Sequence, residues 1–229
     1  MLSAGERPQP PTLNAVLDSP VKPVALNHSA HSTATWPEMD QVGNIQHIWV
    51  ITGPAGCGKS TVGLGLQRKL DCPFLEGDDF HSPSNKQKMS QGAPLTDEDR
   101  WDWLISLRKA AIDSLSPSDS NNFHPPSGVI VACSALKQKY RDVMRVAAYG
   151  TPLVQIHFIY LRLSESVLIQ RVNQREAHYM KSGMVHSQLE VLEEPLGEWD
   201  ALTVNVEGPK EDVQKNVWEL VGAKLAEYE

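Results

Sequence analysis

Paired cysteines are missing from this sequence. Cys57, Cys72 and Cys133 stand alone, without a C-x-x-C pair or a histidine cluster at zinc-ligand spacing, so neither a disulfide framework nor a structural metal is implied. A reducing, cytoplasmic setting fits that usage. Long apolar runs are missing as well: none approaches the roughly 20 residues needed to cross a bilayer, and the first residues lack the basic-then-apolar pattern of a secretory signal. No membrane partner is expected. Positive charge is also short, and a formal net charge of -7 argues against nucleic acid, whose binders need a cationic footprint to displace condensed counterions. A small anionic substrate stays open, because a cleft can gather a few Arg and Lys inside an acidic protein.

What is there suits one sizeable core. A chain of 229 residues with 41% hydrophobic content fits a single domain plus extensions. Residues 1–44 are rich in Pro, Ser, Thr, Ala and Asn and have no apolar period, so they read as a flexible extension that cannot offset the entropy of ordering. A transit peptide is the competing reading, but Arg7 and Lys22 face Glu6, Asp18, Glu38 and Asp40, and transit peptides are poor in acids. Residues 45–229 read as the domain. Short β-branched runs at 47–52, 73–76, 129–132, 156–161 and 202–206 alternate with helix-period segments, the pattern of a parallel sheet covered on both faces. The segment 114–127 (SLSPSDSNNFHPPS) breaks the alternation and reads as a surface loop.

The run Gly53-Pro54-Ala55-Gly56-Cys57-Gly58-Lys59-Ser60, followed by Thr61, fits G-x-x-x-x-G-K-S/T. Its glycines let backbone N–H groups turn inward around a β-phosphate, Lys59 reaches the β/γ oxygens and the Ser60 hydroxyl can ligate Mg²⁺. The context agrees, since Ile48 to Ile51 precede the run and Val62, Leu66 and Leu70 follow at helical spacing. Cys57 reads as a small packed residue, because nothing nearby supplies a base for it. The N-K-x-D motif of GTPases is absent, and the only D-x-x-G, Asp40 to Gly43, lies upstream of the loop. A motor or AAA-type ATPase would end a strand with an acid, but the third strand ends Val131-Ala132-Cys133-Ser134.

Four further stretches carry unusual chemistry. Glu76 to Met89 begins where the second strand runs out at the C-terminal edge of the sheet, the edge on which open α/β sheets bind ligands, and brings acids there. Leu95 to Leu104 holds a capping-box pair, Thr96 and Asp99, and Arg100, either a site residue or a surface partner of Asp97 or Asp102. Cys133 to Asp142 places Lys137 and Lys139 in the first turns of a helix expected to begin near Ser134. The macrodipole prefers acids there, so the pair marks either an anion site or a basic patch paired with Asp142. A helix starting at Ser164 aligns Arg171, Arg175 and His178 on one face, suited to neutralising a transferring phosphoryl. Trp101 and Trp103 read as core.

Together these pieces resemble the gluconokinase family of shikimate/adenylate-kinase-like P-loop kinases. GPAGCGKS, LEGDDFH with Asn85, Lys88-Met89, Gly92 to Leu95 with Asp97, Asp99, Arg100 and Trp103-Leu104, CSALKQKYRD, and the segment 171–195 with Gln188 and Glu194-Pro195 fall in the family's order over about residues 46–208. Ser82 departs from the proline usual after the histidine, which predicts a local backbone change. The resemblance implies an α/β P-loop NTPase fold with a five-stranded parallel sheet in the order 2-3-1-4-5, a substrate segment around 78–104 and a helical lid around 165–185. It implies ATP, Mg²⁺ and D-gluconate, with 6-phosphogluconate as product, and a homodimer. Asp78 is the implied general base, preferred to Asp79 because the family keeps an acid at the first position. Lys59, Arg171 and Arg175 bear charge in transfer; residues 53–61 hold the nucleotide, with Ser60 on the metal. Asp78, His81, Asn85, Arg100, Ser134, Lys137 and Gln188 are the implied substrate residues. The alternatives are a kinase for another small hydroxylated metabolite such as shikimate, disfavoured because CSALK stands where a triple glycine would follow the third strand, and a non-catalytic nucleotide-binding module.

Overall fold

The structure, a computed structural model, describes residues 44–174 and 182–228. The expectations for the extension, for Arg175 and for His178 fall largely or wholly outside them. Five strands, β1 (Gln46–Thr52), β2 (Phe74–Glu76), β3 (Gly128–Ala132), β4 (Val154–Arg162) and β5 (Ala201–Asn205), form one parallel sheet in the order β2-β3-β1-β4-β5. This is the order the resemblance implies. Seven α-helices are described: α1 (Lys59–Leu70), α2 (Pro83–Ser90), α3 (Asp97–Ser114), α4 (Gln138–Arg145), α5 (Glu165–Asn173), α6 (Ser182–Glu190) and α7 (Lys210–Leu225). None is long and apolar enough to cross a membrane.

The central strand shows why the sheet is covered twice. Side chains alternate across a strand, so Ile48 and Val50 enter one core with Leu104, Leu107 and Met144 of α3 and α4. Trp49 and Ile51 enter the other with Val62, Leu66, Leu168, Val217 and Val221 of α1, α5 and α7. Burying each such side chain contributes about 1.5–3 kcal/mol, enough to override the weak helix propensity of Val62 and Val172. β3 begins one residue earlier than its β-branched run, at Gly128, which pairs with His47. A Cβ at Gly128 would lie 2.4 Å from the His47 carbonyl oxygen, so only glycine fits this close approach.

Residues 115–127 connect α3 to β3 with a single 3-10 turn at Asp119–Asn121, as a surface connection would. One expectation fails. The helix predicted near Ser134 starts at Gln138, with Lys137 extended as its N-cap (φ -103, ψ 149). Ala135 is left-handed at φ 36, so residues 134–137 form a turn that delays the helix and projects Lys137 from its mouth.

Candidate active site

The C-terminal ends of β1, β2 and β3 open into a cavity of about 650 Å³, within the range of small-molecule sites. A shallower concavity beside the 115–127 connection contains none of the predicted site residues.

At the end of β1 the loop turns through Gly53, Gly56 and Gly58 at φ 141, 89 and 107, a region costly to any side chain. At Gly56 an added Cβ would also come 2.7 Å from Val172 Cγ2. Gly58 caps α1 without a side-chain hydrogen bond, leaving the first amides of the helix as donors for an anion. Lys59 Nζ arches back over the loop and donates to the Gly53 and Pro54 carbonyls at 3.0 and 3.1 Å. Ala55, Gly56, Gly58, Lys59, Ser60 and Thr61 line the cavity. Cys57 is buried, and burial pushes its thiol up in pKa, which suits a packing residue.

The acids come from the end of β2. Glu76 and Asp78 both line the cavity, the latter on a 3-10 turn, Gly77–Phe80. Burial chiefly raises the Glu76 pKa; a hydrogen bond with the Ser60 hydroxyl opposes this, and the neighbouring Asp78 adds to it. Sequence reasoning did not place Glu76 among the site residues, though it lines the cavity. Its position two residues before Asp78 on the ligand edge was the available signal, but the Ser60 contact is tertiary.

His81 and Arg100 also line the cavity. His81 is buried, and its Nδ1 has no hydrogen-bond partner among the described residues. Burial lowers its pKa to about 4, with Asp78 opposing; it is therefore a neutral ring near pH 7. Arg100 pairs with neither Asp97 nor Asp102. It donates to the Leu95 carbonyl and, at 3.4 Å, to the Tyr140 hydroxyl, with its guanidinium 5.5 Å from that ring. Tyr140 and Lys139 instead donate to Asp97, which Lys137 Nζ approaches at 3.7 Å. The hydrogen bonds from Lys139 and then Tyr140 hold the Asp97 carboxyl down to about 2. The basic pair is thus matched to Asp97, while Asp142 pairs with Arg145 at 2.6 Å.

Ser134 and Lys137 line the same cavity from the β3–α4 turn, and the Ser134 carbonyl accepts from Thr52 Oγ1 at 2.5 Å and Gly53 N at 3.3 Å. Trp103, read as core, is buried yet also forms a wall of the cavity. Gln188 of α6 lines the cavity and meets the phosphate loop, its Oε1 accepting from Ala55 N at 2.7 Å.

Gly53, Pro54 and Cys57 of the loop lie outside the cavity lining, and two predicted residues beyond the loop stand apart from it. Asn85 is buried and does not line the cavity; its Nδ2 donates to the Asp99 carbonyl at 2.6 Å, fastening α2 to α3. Arg171 donates to the Val206 carbonyl at 2.5 Å and reaches the Cys57 carbonyl at 3.5 Å, beside the phosphate loop and outside the cavity lining. Ser82, the departure from the family's proline, is the N-cap of α2 and accepts from Asn85 N at 3.2 Å, with Pro83 following inside the helix.

A family model described as an AAA domain matches residues 50–193. The match spans the phosphate loop although β3 ends in Ala132 without an acid; the acids of this site come from β2. The chain is 41% identical to "Probable gluconokinase" of Schizosaccharomyces pombe over 177 residues, 77% of this chain and 88% of that protein. It is 35% identical to "Thermoresistant gluconokinase" of Escherichia coli over 184 residues, 80% of this chain and 98% of that one. Among solved structures, a gluconokinase from Sinorhizobium meliloti 1021 superposes with a TM-score of 0.67 at 39% identity, covering 81% of this chain and 96% of that chain.

Proposed function

The chain belongs to the gluconokinase family, and on that premise we propose that it transfers the γ-phosphate of ATP to a hydroxyl of D-gluconate, giving 6-phosphogluconate. One observation carries the reading. A glycine-bent phosphate loop with Lys59 and Ser60, the carboxylates Glu76 and Asp78 from the end of β2, and the cations Arg100 and Lys137 converge on one cavity of about 650 Å³.

Each group has a task that its surroundings support. Asp78 accepts the proton of the attacking hydroxyl. Lys59 leaves the loop carbonyls it now bonds to meet the β/γ oxygens, and the free amides at the start of α1 hold the β-phosphate. Arg100 and Lys137 take the sugar-acid carboxylate, and neutral His81, in the same lining, faces a substrate hydroxyl. Ser60 with Glu76, and Asp78 beside them, form an all-oxygen set suited to Mg²⁺, which characteristically takes one or two carboxylates and completes its shell from phosphates and water. Bound there, Mg²⁺ would neutralise charge on the transferring phosphoryl. Arg171 and Arg175 belong to a lid that shares that charge, and most of the rate comes from positioning and electrostatics. A cytoplasmic homodimer completes the proposal.

The test is coupled ADP release over a panel of sugar acids, sugars and shikimate, with substrate-free ATPase as background. Gluconate should give the highest kcat/KM. Turnover with shikimate alone would reassign the substrate, and none above background with any acceptor would leave a nucleotide-binding module.

A further inference from the structure

The turn that presents Ser134 and Lys137 to the cavity is not self-supporting. Ala135 occupies the left-handed region at φ 36, where a residue with a Cβ costs of order 1–3 kcal/mol and persists only if its surroundings hold it. Beneath it lies Arg141 of α4, with 1% of its surface exposed. Its Nη1 donates to the Ala135 carbonyl at 3.0 Å and to the Leu136 carbonyl at 3.3 Å. The other edge of the guanidinium grips Glu198, with Nε 2.9 Å from Oε2 and Nη2 2.5 Å from Oε1. One planar group thus ties two turn carbonyls to a carboxylate 57 residues away.

Glu198 is itself fixed. Arg145 donates to it and holds Asp200 at 2.8 Å through both Nε and Nη2. The same segment touches the turn directly: Glu193 N donates to the Leu136 carbonyl at 2.9 Å, and Gln138 N donates to the Glu193 carboxylate at 2.6 Å. Burial of a charge this deep is costly unless every donor is used, and here the donors converge on the turn and its brace.

We propose that Arg141, braced by Glu198, is a positioning residue for the acceptor substrate, setting the 134–137 turn so that Ser134 and Lys137 face the cavity. Arg141 does not itself line the cavity. Lysine cannot replace it, because an ammonium lacks the planar fork that reaches both carbonyls and a carboxylate at once. The proposal rests on the kinase reading above, in which Lys137 contacts the acceptor.

The experiment compares Arg141→Lys and Glu198→Gln with the wild-type full-length chain, using gluconate, or the best acceptor found in the panel. Wild-type turnover tests the kinase reading by itself. In both variants the acceptor KM should rise about ten-fold with the ATP KM within about two-fold, because the phosphate loop is built separately. Amide exchange across residues 135–139 should quicken about ten-fold while residues 50–62 stay protected, a readout that needs no substrate. A lower melting temperature or active fraction with unchanged acceptor KM and unchanged exchange at the turn would reduce the network to a structural role and overturn the proposal. So would equal rises in both KM values. Should Arg141→Lys fail to fold, Glu198→Gln, which keeps shape and the Arg145–Asp200 pair, decides alone.

Discussion

The imidazole of His81 lies against the indole of Trp103, ring centroids 4.2 Å apart and planes 18° from parallel, while Trp103 Nε1 donates to the Gly77 carbonyl at 2.7 Å. One tryptophan therefore sets both the histidine and the backbone of the turn that carries Asp78. Trp103→Phe keeps a ring for stacking but strands a buried carbonyl, a loss of about 1–3 kcal/mol. Urea unfolding should show it, together with a raised acceptor KM. An unchanged midpoint would mean that the carbonyl finds another donor.

Asp78 sits on that turn with Lys59 and Ser60 across the cavity. Asp78→Asn preserves size but can neither accept the proton nor carry charge, so kcat with gluconate should fall about 10²- to 10⁴-fold while ATP affinity changes little. Partial recovery at high Mg²⁺ would assign Asp78 to ordering the metal. Near-normal turnover would remove both roles and turn attention to Asp79.

Glu76 lines the cavity with Ser60, whose hydroxyl favours its charged form. Glu76→Gln should raise the Mg²⁺ concentration for half-maximal activity about ten-fold, since magnesium is held by few protein groups and the loss of one charged neighbour weighs heavily. A magnesium titration at saturating ATP measures it; an unshifted curve would place Glu76 outside the metal's surroundings.

At the opposite end of the sheet His47 Nδ1 lies 3.0 Å from His157 Nε2, in a cluster with buried Trp49 and half-buried Tyr228. Burial lowers both pKa values, that of His157 to about 3, and His81 falls to about 4. Between these values and 6.5 the unfolded chain binds protons that the folded chain refuses. Stability is therefore full above about pH 6.5 and is lost as pH falls through that window. Between pH 7 and 5 His157 alone accounts for about 2 kcal/mol. Urea unfolding of His157→Phe at the two pH values should show a loss smaller by about that amount; an equal loss in both proteins would refute it. Below the ordinary carboxylate range a further loss begins, because Lys139 and Tyr140 hold Asp97 near 2 and Lys88 and Thr96 hold Asp99 near 2.

A chain beginning at Gly43 should retain activity and melting temperature, because a Pro/Ser-rich segment with no apolar period offers little to bury. Calorimetry and the coupled assay check it. Loss of either would show that the extension packs on the domain or completes the site.

Much of this protein was legible from neighbours in sequence. The phosphate loop is contiguous, its glycines demanded by backbone angles that local sterics set. The capping box of Thr96 and Asp99 closes over three residues, and the alternation of strand and helix implied a parallel sheet covered on both faces. What the sequence left open was always a question of partners. Whether Lys137 and Lys139 marked an anion site or paired with Asp142, whether Arg100 served the site or an acid beside it, where Gln188 pointed, and what held the turn at Ala135 were decided when packing brought distant elements within a few ångströms, as it brought Lys139 to Asp97, 42 residues away. Charge–charge and hydrogen-bond energies fall off steeply outside that range and carry no trace in periodicity or composition, so only the tertiary structure could select among the candidates.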